Sequence, residues 1–193
     1  MRLFIALPLP SLVEKRLSEI ISDLKNAGGN IKWVKPENIH LTVRFLGETD
    51  KDQVPLIKEI IDNISTKYNS YNLTLDRLGG FPNLNKPRVI WAGLVDDDQI
   101  GIMTRMVKEV EYEIRRLGFK PDDKRFRPHL TLGRIKAPVG LDALLDKINS
   151  FHLESINIKL DRLRLFKSTL TPQGPIYESL HEVKLEKQER FGD

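Results

Sequence analysis

Two tetrapeptides offer this chain its chemistry. His40-Leu41-Thr42-Val43 returns as His129-Leu130-Thr131-Leu132, and each copy runs on into glycine and arginine: Arg44-Phe45-Leu46-Gly47 in the first, Gly133-Arg134 in the second. The chain has four histidines, and two of them sit in this motif. Apolar and β-branched residues surround both copies, so both read as strands. In a strand, residues i and i+2 share a face. His40 therefore faces with Thr42, and Arg44 follows on that face. His129 faces with Thr131, and Arg127 precedes it there. Leu41, Val43, Phe45, Leu130 and Leu132 point the other way, toward a core.

Two imidazoles and two hydroxyls suit acid–base chemistry on a phosphate. An imidazole titrates near pH 6.5, so one can be neutral while the other is protonated. The neutral ring takes a proton from water, and the protonated ring gives one to a leaving oxygen. Each positioned transfer contributes about 10²–10⁴ in rate. The threonine hydroxyls can donate to non-bridging phosphate oxygens. If the chain is a duplicated pair of lobes, a pseudo-two-fold axis makes the two faces look at each other across a cleft. Metal-free, in-line cleavage of a phosphodiester is the reaction this arrangement fits.

The alternatives are weaker on composition. Zinc takes three or four protein ligands, and the strand neighbours here are Thr and Arg. A Ser-His-Asp hydrolase lacks its Gly-x-Ser-x-Gly turn. Arg44 and Arg127 have the parity to reach a phosphate, or are solvated edge charges. Arg134 has the wrong parity unless Gly133 opens a bulge. Phe45 packs in the core, unless a bulge turns it outward to stack on a base. Tyr177 is a last-strand aromatic. His152 and His181 lack the x-Thr partner and read as structural or surface residues. The basic run from Lys120 through Lys124-Arg125-Phe126-Arg127 precedes the second motif and is either a solvated loop or a contact for RNA backbone.

The elements that must position these residues mix without regular alternation. Strands are expected at 3–7, 31–33, 39–46, 72–78, 89–94, 129–135 and 176–185, with one long strand or two over 151–165. Helices are expected at 11–27, 54–65, 102–117 and 141–148. Ser11 and Glu14 are spaced as a capping box, and Asp50 is placed to cap the second helix. The fold class is therefore α+β, with mainly antiparallel sheets. The charged tail over 184–193 is expected to fray.

The 193 residues hold 31 Lys+Arg against 27 Asp+Glu and no cysteine. That length suits one domain of two packed lobes. The lack of cysteine excludes a disulfide framework, thiolate metal ligands and a cysteine nucleophile. The net charge of +4 permits an anionic partner and equally describes a lysine-rich surface. High Lys and Glu content also fits heat adaptation. No stretch reaches the roughly 20 apolar residues of a membrane span. The opening MRLFIALPLP is broken by Pro8 and Pro10 and lacks a cleavage site, so a strand and a cytoplasmic location are expected.

The motifs, with the run from Trp33 to Glu48, the block Phe126-Arg-Pro-His-Leu-Thr-Leu-Gly-Arg134 and the late Ser168…Gly174-Pro175…Tyr177-Glu178, resemble the 2H phosphoesterases. More narrowly, they resemble the RNA 2′,3′-cyclic phosphodiesterases first described as 2′-5′ RNA ligases. The resemblance implies a bilobal duplication whose two antiparallel sheets line a V-shaped groove, with helices outside. It implies hydrolysis of an RNA 2′,3′-cyclic phosphate, or of small cyclic nucleotides, to a 2′-phosphomonoester. No cofactor and no metal are implied. His40 would be the proton donor and His129 the proton acceptor. Thr42 and Thr131 would hold the phosphate, and Arg44, Arg127, Arg134, Phe45 and Tyr177 would contact substrate. Reverse 2′-5′ joining of RNA ends uses the same groups. A monomer suffices, since one chain supplies both motifs. The rival function is a non-catalytic module binding RNA ends or cyclic nucleotides.

Overall fold

The computed structural model describes residues 1–122 and 125–187. Its elements run β1 (Arg2–Pro8), α1 (Ser11–Lys25), β2 (Asn30–Trp33), a single 3-10 turn (Pro36–Asn38), β3 (His40–Glu48), α2 (Gln53–Ser65), β4 (Tyr71–Phe81) and β5 (Val89–Leu94). They continue α3 (Asp98–Arg116), β6 (His129–Ala137), α4 (Asp142–Ser150), β7 (Ile156–Leu160), β8 (Arg162–Thr171) and β9 (Gly174–Lys184). One sheet has the order β3-β1-β8-β9 and the other β2-β6-β5-β4-β7. Neighbouring strands are antiparallel throughout, as the α+β reading expects. Among the described residues no helix is long and apolar enough to cross a membrane.

The strand patterns follow from two-sided or one-sided burial. Leu3, Ile5 and Leu7 of β1 enter the main core, while Phe4 and Ala6 join a small cluster with Phe166 on the sheet's other face. Both faces are covered, so the segment is continuously apolar. In β5 and β6, Ile90, Ala92, Leu130 and Leu132 enter the main core, and the alternate residues are left for the opposite face. The chain interleaves between the two sheets. β1 and β3 share one sheet with the late β8 and β9, while β2, from between them in sequence, pairs with β6 in the other.

Three helix starts differ from expectation. Ser11 is the first residue of α1 and not its cap. Pro10 precedes it in extended conformation, and the Pro10 carbonyl accepts from Val13 and Glu14 at 2.9 and 3.1 Å. Asp52, not Asp50, stands at the start of α2, with no side-chain cap. The third helix begins four residues earlier than its apolar periodicity indicates, because Asp97 caps it. The Asp97 carboxylate accepts from the backbone N–H of Gln99 at 3.0 Å and Ile100 at 3.2 Å. The 151–165 stretch is two strands, β7 and the start of β8, broken at Asp161.

Candidate active site

β3 and β6 bring the two sheets together, and a backbone bond from Val34 to the Leu132 carbonyl at 2.8 Å extends the β2–β6 ladder beside that junction. Each strand starts on its histidine. Each imidazole donates from Nδ1 to the carbonyl two residues upstream, His40 to Asn38 at 2.8 Å and His129 to Arg127 at 2.6 Å. Committing Nδ1–H to the backbone selects the tautomer whose Nε2 lone pair is available.

Beyond the threonines both strands bulge. On β3 the partners on β1 step from Thr42 directly to Arg44, skipping Val43. On β6 the partners on β5 step from Thr131 to Gly133, skipping Leu132. An extra residue inverts the side-chain parity that follows. Arg44 therefore turns away from the His40 face and is 7% exposed, whereas Phe45 turns outward and is 57% exposed. Arg134 likewise comes out beside His129 and Thr131, exposed at the corresponding place. The expectation that Arg44 reaches a phosphate is thus corrected, as is the core placement of Phe45.

Arg44 instead forms a buried brace. Its Nε meets a Glu111 carboxylate oxygen at 2.5 Å, and Nη1 lies 3.7 Å from Asp122. Nη1 also donates to the Phe45 carbonyl at 2.7 Å, and Nη2 to the Lys120 carbonyl. The first motif thereby holds the chain that leads into the second.

The environments of the two imidazoles differ. His40 stacks on Phe4, centroids 4.8 Å apart, with Tyr177 edge-on at 5.5 Å and Phe166 at 6.0 Å. Burial on this aromatic floor lowers its pKa to about 4, aided by the positive field of Arg134 and His129 and opposed by the Asn38 hydrogen bond. His129 meets the edge of Phe81 at 4.8 Å. Burial and Arg134 lower its pKa as well. Arg134 thus acts on both rings, and it also bears on Tyr177, whose pKa burial raises. Arg127 projects its guanidinium over Phe81 at 6.0 Å.

His40, His129, Arg134 and Tyr177 therefore share one electrostatic neighbourhood, with Thr42 and Thr131 on the imidazole faces and Phe45 beside Phe4 at 6.0 Å. Arg44 lies outside it. His181 is remote and bonds Asp62 at 2.7 Å. In the basic run, Lys124 lies outside the described residues, as does the tail from 188. Sequence reasoning missed Phe4, Phe81 and Phe166. Phe4 sits in a uniformly apolar strand, and nothing local marks it as facing the site. Among the described residues, no three of His, Asp and Glu come together as a metal site requires.

The model of the LigT-like phosphoesterase family matches the chain twice, at residues 7–91 and 95–177, with one His-x-Thr motif in each span. The chain belongs to that family. A curated RNA 2′,3′-cyclic phosphodiesterase of Thermotoga maritima is 36% identical over 96% of this chain and 96% of its own. The Methanocaldococcus jannaschii protein of the same name is 36% identical, over 94% of this chain and 99% of its own. The crystal structure of TT0787 of Thermus thermophilus superposes with a TM-score of 0.79 at 26% identity, covering 98% of this chain and 100% of that one. This LigT-like protein is accordingly an enzyme of the phosphoesterase class.

Proposed function

We propose that the enzyme hydrolyses RNA 2′,3′-cyclic phosphate ends to 2′-phosphomonoesters without a metal. The observation that carries this reading is the pair of imidazoles with Nδ1 anchored and Nε2 available, sharing the field of Arg134. His129 takes a proton from water, and the water oxygen attacks phosphorus opposite the 3′ oxygen. The P–O3′ bond breaks, and His40 supplies the proton that O3′ needs. Thr42, Thr131 and Arg134 hold the non-bridging oxygens, where negative charge builds. Phe45 offers its exposed ring to the base of the reacting nucleotide. The relatives' names support RNA as the substrate, and one chain supplies every group, so a monomer is complete.

His40 is disfavoured as a cation in the free protein, and the proposed acid must be one. The substrate's negative phosphate, arriving beside the ring, favours its protonated form. The same displacement of O3′, with a 5′-hydroxyl in place of water as the attacking group, joins RNA ends through a 2′-5′ bond. Water at about 55 M and the lack of a nucleotide-activating loop make hydrolysis the favoured outcome.

The decisive assay incubates RNA ending in 2′,3′-cyclic phosphate with the enzyme in EDTA and identifies which hydroxyl keeps the phosphate. A 2′-phosphate product, lost in His40→Ala and His129→Ala while RNA binding survives, is the expected result. Binding without turnover in the wild-type protein would move the reading to a non-catalytic module. Inhibition by EDTA, reversed by added zinc, would replace it with a metal mechanism.

A further inference from the structure

A cavity of about 670 Å³ opens beside His129, within the size range of small-molecule sites. Its wall includes Trp91, the cross-strand partner of Thr131. The indole lies flat across the sheet, because two glycines clear the space. A Cβ at Gly79 would come within 2.3 Å of its six-membered ring, and one at Gly93 within 2.7 Å. Phe81 packs against it with centroids 5.2 Å apart, and Arg127 covers Phe81. Arg125 and Lys108 add positive charge to the lining. Two of the lining acids, Glu111 and Asp122, face Arg44. A flat aromatic surface with cations at its edge is the chemistry that receives a nucleobase and its backbone phosphate.

The other sheet already offers such a surface, in Phe45 beside the His40 floor. A reacting nucleotide has one base. With O3′ and its ribose on the side of His40, that base goes to Phe45, and the platform beside His129 is left for another. We propose that this cavity is a second nucleobase site, which seats the base and phosphate of a neighbouring nucleotide. The inference rests on the function proposed above. That nucleotide is either the next one inward on the same RNA or the first of a separate strand with a 5′-hydroxyl; both present the same base and phosphate.

Trp33→Phe leaves Trp91 as the one indole of the chain, since the sequence has two tryptophans. Its emission is followed during titration with a nucleoside 2′-phosphate, a dinucleotide ending in 2′-phosphate, and the nucleoside 2′-phosphate together with a 5′-hydroxyl dinucleotide. Quenching by the second ligand and not the first supports the site and assigns it to the same strand. Quenching in the third mixture alone supports it and assigns it to a separate strand. Equal quenching by the first ligand overturns the proposal, as does binding of all three by calorimetry with no quenching. Trp91→Leu should lower the ratio of dinucleotide to mononucleotide affinity about tenfold, and an unchanged ratio also overturns it. Turnover of cyclic phosphate by the Trp33→Phe protein is read in parallel. Quenching without turnover keeps the second base site and defeats the hydrolase reading, while turnover without quenching does the reverse.

Discussion

β3 and β6 carry the same His-Leu-Thr, anchor their imidazoles in the same way and bulge just past the threonine. They part at the next two positions. The residue four beyond the histidine turns inward in both strands and is Arg44 in one, Gly133 in the other. The residue five beyond turns outward and is Phe45 in one, Arg134 in the other. The first strand thus puts its cation inside, as a brace on the Lys120 carbonyl and Glu111, and a ring outside. The second leaves its inner position without a side chain, where a Cβ would come within 2.8 Å of Ile31, and puts its cation outside. From these equivalent positions one duplicated geometry gives the site one arginine, Arg134, and one exposed ring, Phe45. The asymmetry that a directional reaction needs comes from these positions and from the floors beneath the two imidazoles.

The sharpest way to break that comparison is to ask which imidazole serves the leaving oxygen. A substrate with sulfur at the bridging 3′ position releases a thiolate that needs no proton in the transition state. On this substrate His40→Ala should recover most of the loss it shows with the oxygen substrate, about 10²–10⁴ in rate, and His129→Ala should recover none. Recovery in His129→Ala alone would exchange the roles. The deeper burial of His40, which disfavours its cation in the free protein, gives that exchange a physical basis.

The outward pair comes next. On the proposed mechanism, Arg134→Ala removes a preorganised donor to the phosphate and should cost about 10²-fold in kcat. Phe45→Ala removes a stacking surface and should raise KM for a mononucleotide substrate about tenfold with kcat little changed. Equal effects of the two variants on kcat and KM would mean that the equivalent positions had not diverged in role.

The inward pair is read by stability. Arg44→Met leaves Glu111 without its cation and the Lys120 and Phe45 carbonyls without a donor. Removing one partner of a buried pair is costly, and with Glu111 a quarter exposed we expect about 3 kcal/mol. In a domain of this size that lowers Tm by about 6–12 °C. Arg44→Lys should recover only part, since an ammonium cannot fork to the carboxylate and two carbonyls together. An unchanged Tm in Arg44→Met would show that the brace contributes nothing.

These contrasts mark where the sequence was legible. The repeated His-x-Thr, the alternation at the start of β3 and β6, and the apolar faces of α1 and α2 follow from period alone. The duplication was visible as a repeat, but the interleaving of β1, β3, β8 and β9 was not, because strand pairing between distant segments leaves no local mark. The bulges decided Arg44, Phe45 and Arg134. Strict period 2 fails beyond the bulge, and glycine hints at one only in the second strand, where Gly133 lies at the step. Phe4 was hidden for a related reason: in a strand buried on both faces, composition does not distinguish the face beneath the imidazole from the core.

The smallest expected effect lies in the ionisation of the two rings, and it tests whether their floors differ as described. In the ligand-free protein, NMR titration should give His40 a midpoint of about 4, with His129 displaced below the ordinary imidazole value. Arg134→Ala removes a positive charge that disfavours both cations, so both midpoints should rise. Phe4→Leu opens the floor under His40 alone and should raise only that one. A nucleoside 2′-phosphate brings negative charge and should raise both. The stability consequence has a definite sign. The unfolded chain protonates His40 near pH 6.5, whereas the folded chain holds it neutral down to about 4. The folded state is therefore penalised as pH falls through that window, and wild-type Tm should decline there more steeply than that of His40→Gln. A His40 midpoint near 6.5 in the free protein would mean that the aromatic floor does not exclude water, and the contrast between the two imidazoles would then reduce to their neighbours at the positions past the bulge.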